Sequence, residues 1–129
     1  MKIANIIKKL ENTPEVTDIK ITADKAQWGG YNVKLSALVG DYYDLEVTSQ
    51  VYDKNQPDRT HTMGFTAEKA IAIFKADEAE YICHKPYHDE NDLMSDYHAW
   101  SFSHRLKDID WLVDMSRGRE GAKNARATR

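Results

Sequence analysis

Apolar residues recur at Ile3, Ile6, Ile7 and Leu10, the i, i+3, i+4, i+7 spacing of one helical face. Lys2, Lys8, Lys9 and Glu11 take the other side. Thr13-Pro14 ends the run, because a proline pushes the residue before it out of the α region. The spacing predicts a short helix over about 2–12.

The period then changes to two. Ile19, Ile21 and Ala23 alternate with Asp18, Lys20 and Thr22. Tyr31, Val33, Leu35, Ala37 and Val39 form a second alternating run, and Tyr43, Leu45, Val47 and Val51 a third. One apolar and one polar face per segment describes antiparallel strands covered on one side. Trp28-Gly29-Gly30 links the first pair, and a turn at Gly40-Asp41 links the second. A two-residue loop there opposes Ala37 to Asp44 and Leu35 to Glu46, which mixes the faces. A three-residue loop through Tyr42 pairs Val39 with Tyr43, Ala37 with Leu45 and Leu35 with Val47. Cross-strand apolar pairs contribute roughly 0.2–1 kcal/mol each, so the longer loop or a bulge is expected.

Asp53 to Asp58 reads as a loop, and Arg59 to Phe65 as a short fourth strand with His61, Met63 and Phe65 on one face. Thr66 is a suitable N-cap. Ala67, Ala70, Ile71, Phe74 and Ile82 then mark a helix that Pro86 ends at or before Lys85. Helical spacing resumes through Leu93, Tyr97 and Trp100 and shifts face to Phe102, Leu106, Ile109 and Val113. This predicts one bent helix or two meeting near Ser101–Ser103. Beyond Met115 only alanines are apolar, and Gly118 and Gly121 weaken any continuation. The expected fold is α+β: an N-terminal helix, a three- to four-stranded antiparallel sheet, and two to three C-terminal helices packed on one face. Residues 1–115 form the single domain and 116–129 a basic tail.

At 129 residues, 41% hydrophobic and with 13 aromatics, the chain can bury a real core. Its one cysteine, Cys83, excludes an internal disulfide framework and fits a reducing compartment. No apolar run is long enough for a transmembrane helix, and Met1 to Lys9 lacks a signal-peptide core, so a cytoplasmic location is expected.

Charge is divided along the chain. Between Asp77 and Asp96 stand seven acids (Asp77, Glu78, Glu80, Asp89, Glu90, Asp92 and Asp96) and a single base, Lys85. From Ser116 to Arg129 there are five bases (Arg117, Arg119, Lys123, Arg126 and Arg129) and one acid, Glu120. The overall −3 therefore combines −7 over residues 1–115 with +4 over the last 14. Such asymmetry bears on partners more than on fold.

No catalytic motif stands out. Cys83, His84, His88, His98 and His104 are zinc-ligand types, but Pro86 separates His84 from His88 and the spacing matches no zinc module. Polar surface histidines beside a semi-buried cysteine account for the group more simply, and no metal or other cofactor is expected. His104 and Asp108 stand four apart, as do Asp110 and Asp114, the spacing at which helical side chains meet. Solvated faces opposite the Leu106/Ile109/Val113 stripe explain both pairs. Gly-rich phosphate motifs are absent, which argues against ordinary NTPases and dinucleotide enzymes. Tyr42 and Tyr52 flank Asp44 and Glu46 on the third strand, and those carboxylates oppose sheet-face RNA binding. The helix–three strands–helix order is that of a double-stranded RNA-binding domain, but Thr66-Ala67-Glu68-Lys69 replaces the basic start of its final helix.

The layout of residues 1–100 resembles small phage anti-defence proteins of the anti-CRISPR and anti-restriction type. These are compact α+β proteins, several of which use carboxylates to mimic nucleic-acid phosphates. The resemblance implies a non-enzymatic protein-binding inhibitor of a nucleic-acid-handling complex, whose partner has a basic surface. Asp77, Glu78, Glu80, Tyr81, Tyr87, Asp89, Glu90, Asp92, Asp96 and Trp100 would form the contact patch, the aromatics serving as anchors. Two other readings stand beside it. One is a nucleic-acid-binding accessory protein using Arg117, Arg119, Lys123, Arg126 and Arg129. The other is a small metal-dependent hydrolase or nuclease built from His84, His88, His98, His104 or Asp108.

Overall fold

The computed structural model describes residues 1–27, 29–40, 43–53, 64–86 and 101–127, the last stretch with side chains at 103–118. The elements are α1 (Ile3–Glu11), β1 (Val16–Lys25), β2 (Tyr31–Val39), β3 (Tyr43–Val51), α2 (Ala67–Ala76), β4 (Ile82–Pro86), β5 (Ser101–Ser103) and α3 (Lys107–Ala127). All five strands form one antiparallel sheet in chain order. The fold is α+β, with an N-terminal helix and helices α2 and α3 after the third strand.

Helix α1 buries Ile3, Ile6 and Leu10, the stripe its spacing predicts. Its last turn carries Lys8 and Lys9, favourable at the negative end of the helix dipole. Thr13 Oγ1 donates to the Lys9 carbonyl at 2.6 Å, satisfying a carbonyl that the ending helix leaves free.

The β2–β3 register is the one the apolar faces demand: Val39 opposite Tyr43, Ala37 opposite Leu45, Leu35 opposite Val47. All six are buried. Strand β1 completes the row with Ile21 against Leu35 and Ala23 against Val33, but Val16 faces Val39 in a different register. Five residues separate Val16 from Ile21, so an unbroken strand would put them on opposite faces. A bulge between Thr17 and Lys20, with Asp18 at φ 54°, absorbs one residue and returns both to the core. The opposite face of the sheet is open, with Asn32, Lys34, Thr48 and Gln50 exposed.

Thr66 caps α2 as expected, its side chain accepting from the Lys69 N–H at 3.2 Å. Lys69 Nζ also reaches the buried Asp53 carboxylate at 2.8 Å, joining α2 to the end of β3. Phe74 and Ala70 fill the space over the sheet. Of the expected strand over 59–65, residues 59–63 lie outside the described residues. Gly64 is in a turn, and Phe65 is buried edge-on to Tyr31 at 5.4 Å.

Two expected helical stretches are strands instead. Helix α2 stops at Ala76, and Ile82 belongs to β4 rather than to that helix. The Asp77 side chain takes the Glu78 N–H at 2.9 Å, a local bond that competes with helix continuation. The backbone of Tyr43 to Glu46 needs partners, and Cys83 to Pro86 supply them. Pro86 ends β4, where a missing N–H costs least. The helical junction expected near Ser101–Ser103 is β5, paired with Ile82 to His84, so Phe102 lies on a strand. Residues 93–100 of that expected helix lie outside the described residues. Helix α3 begins at Lys107 and runs through Gly118 and Gly121 to Ala127, because arginine, glutamate, lysine and alanine around them favour the helix.

The helices share one face of the sheet. Ile109, Leu112 and Val113 join Ile3, Ile6, Leu10 and Phe74 in one core cluster with the strand residues. Each large side chain fully buried there contributes about 1.5–3 kcal/mol.

Gly40 is closely packed. Its φ is +59°, its N–H donates to the Glu15 carbonyl at 2.8 Å, and Ser116 of α3 packs directly over its Cα. A Cβ there would overlap the Ser116 side chain. Backbone strain and overpacking together predict that Gly40→Ala destabilises by about 2–4 kcal/mol, measured by urea unfolding. Gly118→Ala, with open space around the added Cβ, is expected to be neutral or stabilising.

Candidate protein interface

The acidic segment begins where α2 gives way to β4. Residues 77–79 are stitched to the chain's first residues: the Ile3 N–H donates to the Asp77 carbonyl at 3.0 Å and the Ala79 N–H to the Met1 carbonyl at 2.7 Å. Ala79 is buried, which leaves Asp77, Glu78 and Glu80 on the outer surface of a connection that two backbone bonds hold in place. Tyr81 follows at 37% exposure, its ring edge-on to His104 with centroids 4.7 Å apart. Four of the ten patch residues thus share one anchored connection. Tyr87, Asp89, Glu90, Asp92, Asp96 and Trp100 lie outside the described residues.

Of the five basic residues, Arg117 is engaged on the domain. Its Nε donates to Glu15 Oε1 at 2.7 Å, and its Nη1 stands 3.9 Å from Asp114. The hydrogen bond from Arg117 holds the Glu15 carboxyl below its ordinary pKa. Arg119, Lys123 and Arg126 fall within α3 at i, i+4 and i+7, and Arg129 lies outside the described residues.

The histidine and cysteine group separates. Cys83 and His84 are neighbours on β4, so their side chains take opposite faces of the sheet. Burial, with Glu46 nearby, pushes the Cys83 thiol up, which disfavours the thiolate a nucleophile needs. His104 precedes α3 and lies against Tyr81. Asp108, four residues beyond it, accepts from Ser103 Oγ at 2.5 Å and from Arg105 at 3.3 Å. The Ser103 bond holds the Asp108 carboxyl low. Asp110 pairs with Lys9 at 2.7 Å, apart from Asp114 with its Arg117 contact. Among the described residues no three His, Cys, Asp or Glu side chains come together as metal ligands. His88 and His98 lie outside them.

A shallow hollow of about 420 Å³ is lined by Asp24, Asn32, Val33, Lys34, Thr48, Ser49 and Gln50. Asp44 and Glu46 lie half-buried on the open face, with Lys85 opposite Asp44 in the register. Burial raises the Asp44 carboxyl, and Lys85 pulls it partly back. Tyr52 packs against the core.

Sequence reasoning missed the interior place of His84. It is 9% exposed and tilted against Trp111 at 5.9 Å, and among the described residues its buried Nδ1 has no hydrogen-bond partner. The available signal was the Ile82–His84 alternation, hidden by reading the segment as helix. Burial pushes the His84 pKa down, and the Asp108 charge offsets this in part.

Comparison with protein-family models, with characterised proteins and with solved structures gave no match. Among the described residues no helix is long and apolar enough to cross a membrane.

A histidine whose folded pKa lies below its unfolded value of about 6.5 contributes full stability above pH 6.5 and loses it as pH falls towards the folded value. Stability is therefore expected to drop as pH falls below about 6.5. His84→Leu should flatten that limb while leaving stability at pH 8 unchanged or higher, because an unpartnered buried polar atom is removed. Urea midpoints across pH check both.

Proposed function

We propose that this protein is a protein-binding inhibitor of a nucleic-acid-handling complex, acting through the acidic and aromatic surface that starts at the α2–β4 connection. The observation that carries this reading is the pinned arrangement of Asp77, Glu78 and Glu80 beside the half-open Tyr81 ring. Acidic residues on a pinned backbone are available to meet basic groups, and an aromatic beside them adds contact area at low entropic cost. The remaining acids of the segment extend the same charge, and its resemblance to phage anti-defence proteins suits a partner with a basic surface that ordinarily holds phosphates. Electrostatic steering makes association with that partner slow as salt rises.

In a pull-down from host lysate, a bound protein is expected to survive nuclease treatment. Reversing Glu80, Glu90 and Asp92 together to lysine should reduce its retention at least about tenfold, the loss of several complementary charges. Undiminished retention by that variant refutes the patch.

A second reading is supported by the helical placement of Arg119, Lys123 and Arg126 on one line of α3. These bases would contact nucleic-acid phosphates, with affinity that falls steeply with salt. Because Ser116 is buried and Arg117 is paired with Glu15, the truncation that isolates them begins at residue 119. Loss of low-salt DNA or RNA binding on that truncation favours this reading; no binding by the full chain removes it.

A further inference from the structure

Among the described strands β1 ends the sheet, with β2 on one side of it and no strand on the other. The direction of its free backbone groups follows from the hairpin into β2. The Ala26 N–H donates to the Gly30 carbonyl at 2.8 Å, and the same register continues through Asp24 opposite Asn32, Thr22 opposite Lys34 and Lys20 opposite Ser36. Bonded pairs alternate with non-bonded ones in an antiparallel ladder, so these residues turn their N–H and C=O groups towards β2. Ile21, Ala23 and Lys25 turn theirs outwards, a row of donors and acceptors that suits another strand.

The side chains beside that row lack full cover too. Val33 and Leu35 on β2 are 1% and 0% exposed, whereas Ala23 and Ile21 opposite them are only half-buried. The core cluster thus ends in an apolar ledge along the edge. On the other face of the strand Lys20 and Asp24 are exposed, and neither forms an ion pair among the described residues. They stand symmetrically about Thr22.

We propose that β1 is the interface of a homodimer in which two copies pair antiparallel about a two-fold axis at Thr22, joining their sheets into one. In that register Ile21 of one copy stands opposite Ala23 of the other, and their outward N–H and C=O groups bond in both directions. Lys20 stands opposite Asp24 on each side of the axis, in the non-bonded positions where side chains come closest. The two Thr22 side chains meet at the centre. Opposite charges and paired threonines are both favourable cross-strand neighbours. Each residue keeps its face, so the two apolar ledges adjoin and cover one another.

Other registers lose this match. An axis at Ile21 sets Asp18 against Asp24, an axis at Lys20 sets the two lysines together, and an axis at Ala23 leaves both charges unmatched. The irregularity between Thr17 and Lys20 stops the ladder from extending further. Under a single two-fold the strand complements itself in hydrogen-bond phase, apolar face and charge, which selects a second copy as the occupant. From 20 to 24 the ladder spans about 17 Å, so the contact is small and the dimer weak. The α2–β4 connection takes no part, and the inference stands without the function proposed above.

Sedimentation equilibrium of the full chain from about 10 to 1000 µM tests it, with the mass expected to rise from one chain towards two. Lys20→Asp opposes like charges on both sides of the axis and should raise the dissociation constant at least about fivefold, as should Asp24→Lys. Combining the two substitutions restores opposite charges and should return the constant to within about twofold of its original value. Both positions are exposed, so the circular dichroism spectrum and urea midpoint are expected to stay unchanged. In the concentrated sample the Ile21 and Ala23 amides should exchange at least about fivefold more slowly than in the dilute one, while those of Thr22 and Asp24, already bonded to β2, change little. A single-chain mass over the whole range overturns the proposal; it is the result if another part of this chain or a strand of an unrelated protein takes the edge. A dimer that the single reversals leave intact, that the double variant does not restore, or that leaves the Ile21 and Ala23 amides unprotected overturns it equally.

Discussion

The register between β2 and β3 is the constraint on which the rest of the molecule depends. Leu35 lies between Ile21 on one side and Val47 on the other, and Ala37 and Val39 continue the row against Leu45 and Tyr43. A slip of one residue would send every one of these side chains to the open face. The turn at Gly40 sets the register, and the same glycine receives Ser116 of α3 and donates to Glu15 before β1. Three elements distant in sequence therefore meet at one residue without a side chain. Helices α1, α2 and α3 rest on the apolar row that this turn aligns.

The division of charge in the chain becomes, in space, partly a set of internal links. Lys9 joins α1 to Asp110 on α3, and Arg117 ties α3 back to Glu15. Exposed pairs of this kind contribute little to stability. They link α3 to α1 and to the residue before β1, while the burial of Ile109, Leu112 and Val113 supplies the energy of contact. The acids at 77–80 have a different setting, on a connection held from beneath by backbone bonds. Residues 116–127 of the basic segment belong to helix α3.

Much of this was legible because it depends on local pattern. The α1 stripe, the cap at Thr66 and the three-residue turn each follow from spacing or residue chemistry over a few positions. The bulge at Asp18 was hidden, although the odd separation of Val16 and Ile21 required either a bulge or one exposed apolar residue. Four of the proposed contact residues could be placed together, and the interior position of His84 emerged only with its strand.

By itself the amino-acid order determined the class of fold, the face of α1 that is buried, and the pairing of β2 with β3, since each is a one-dimensional pattern whose alternatives expose apolar surface nearby. Only the tertiary structure decided the state of 82–86 and 101–103. Short segments of mixed polarity suit helix or strand equally well by period, and the outcome turned on pairing: the edge of β3 takes up 83–86 from 37 to 43 residues away, and β4 then pairs with 101–103. The same holds for α3. Two glycines argue against a helix locally, but packing of its first turns on the sheet fixes a helix that its remaining residues then extend.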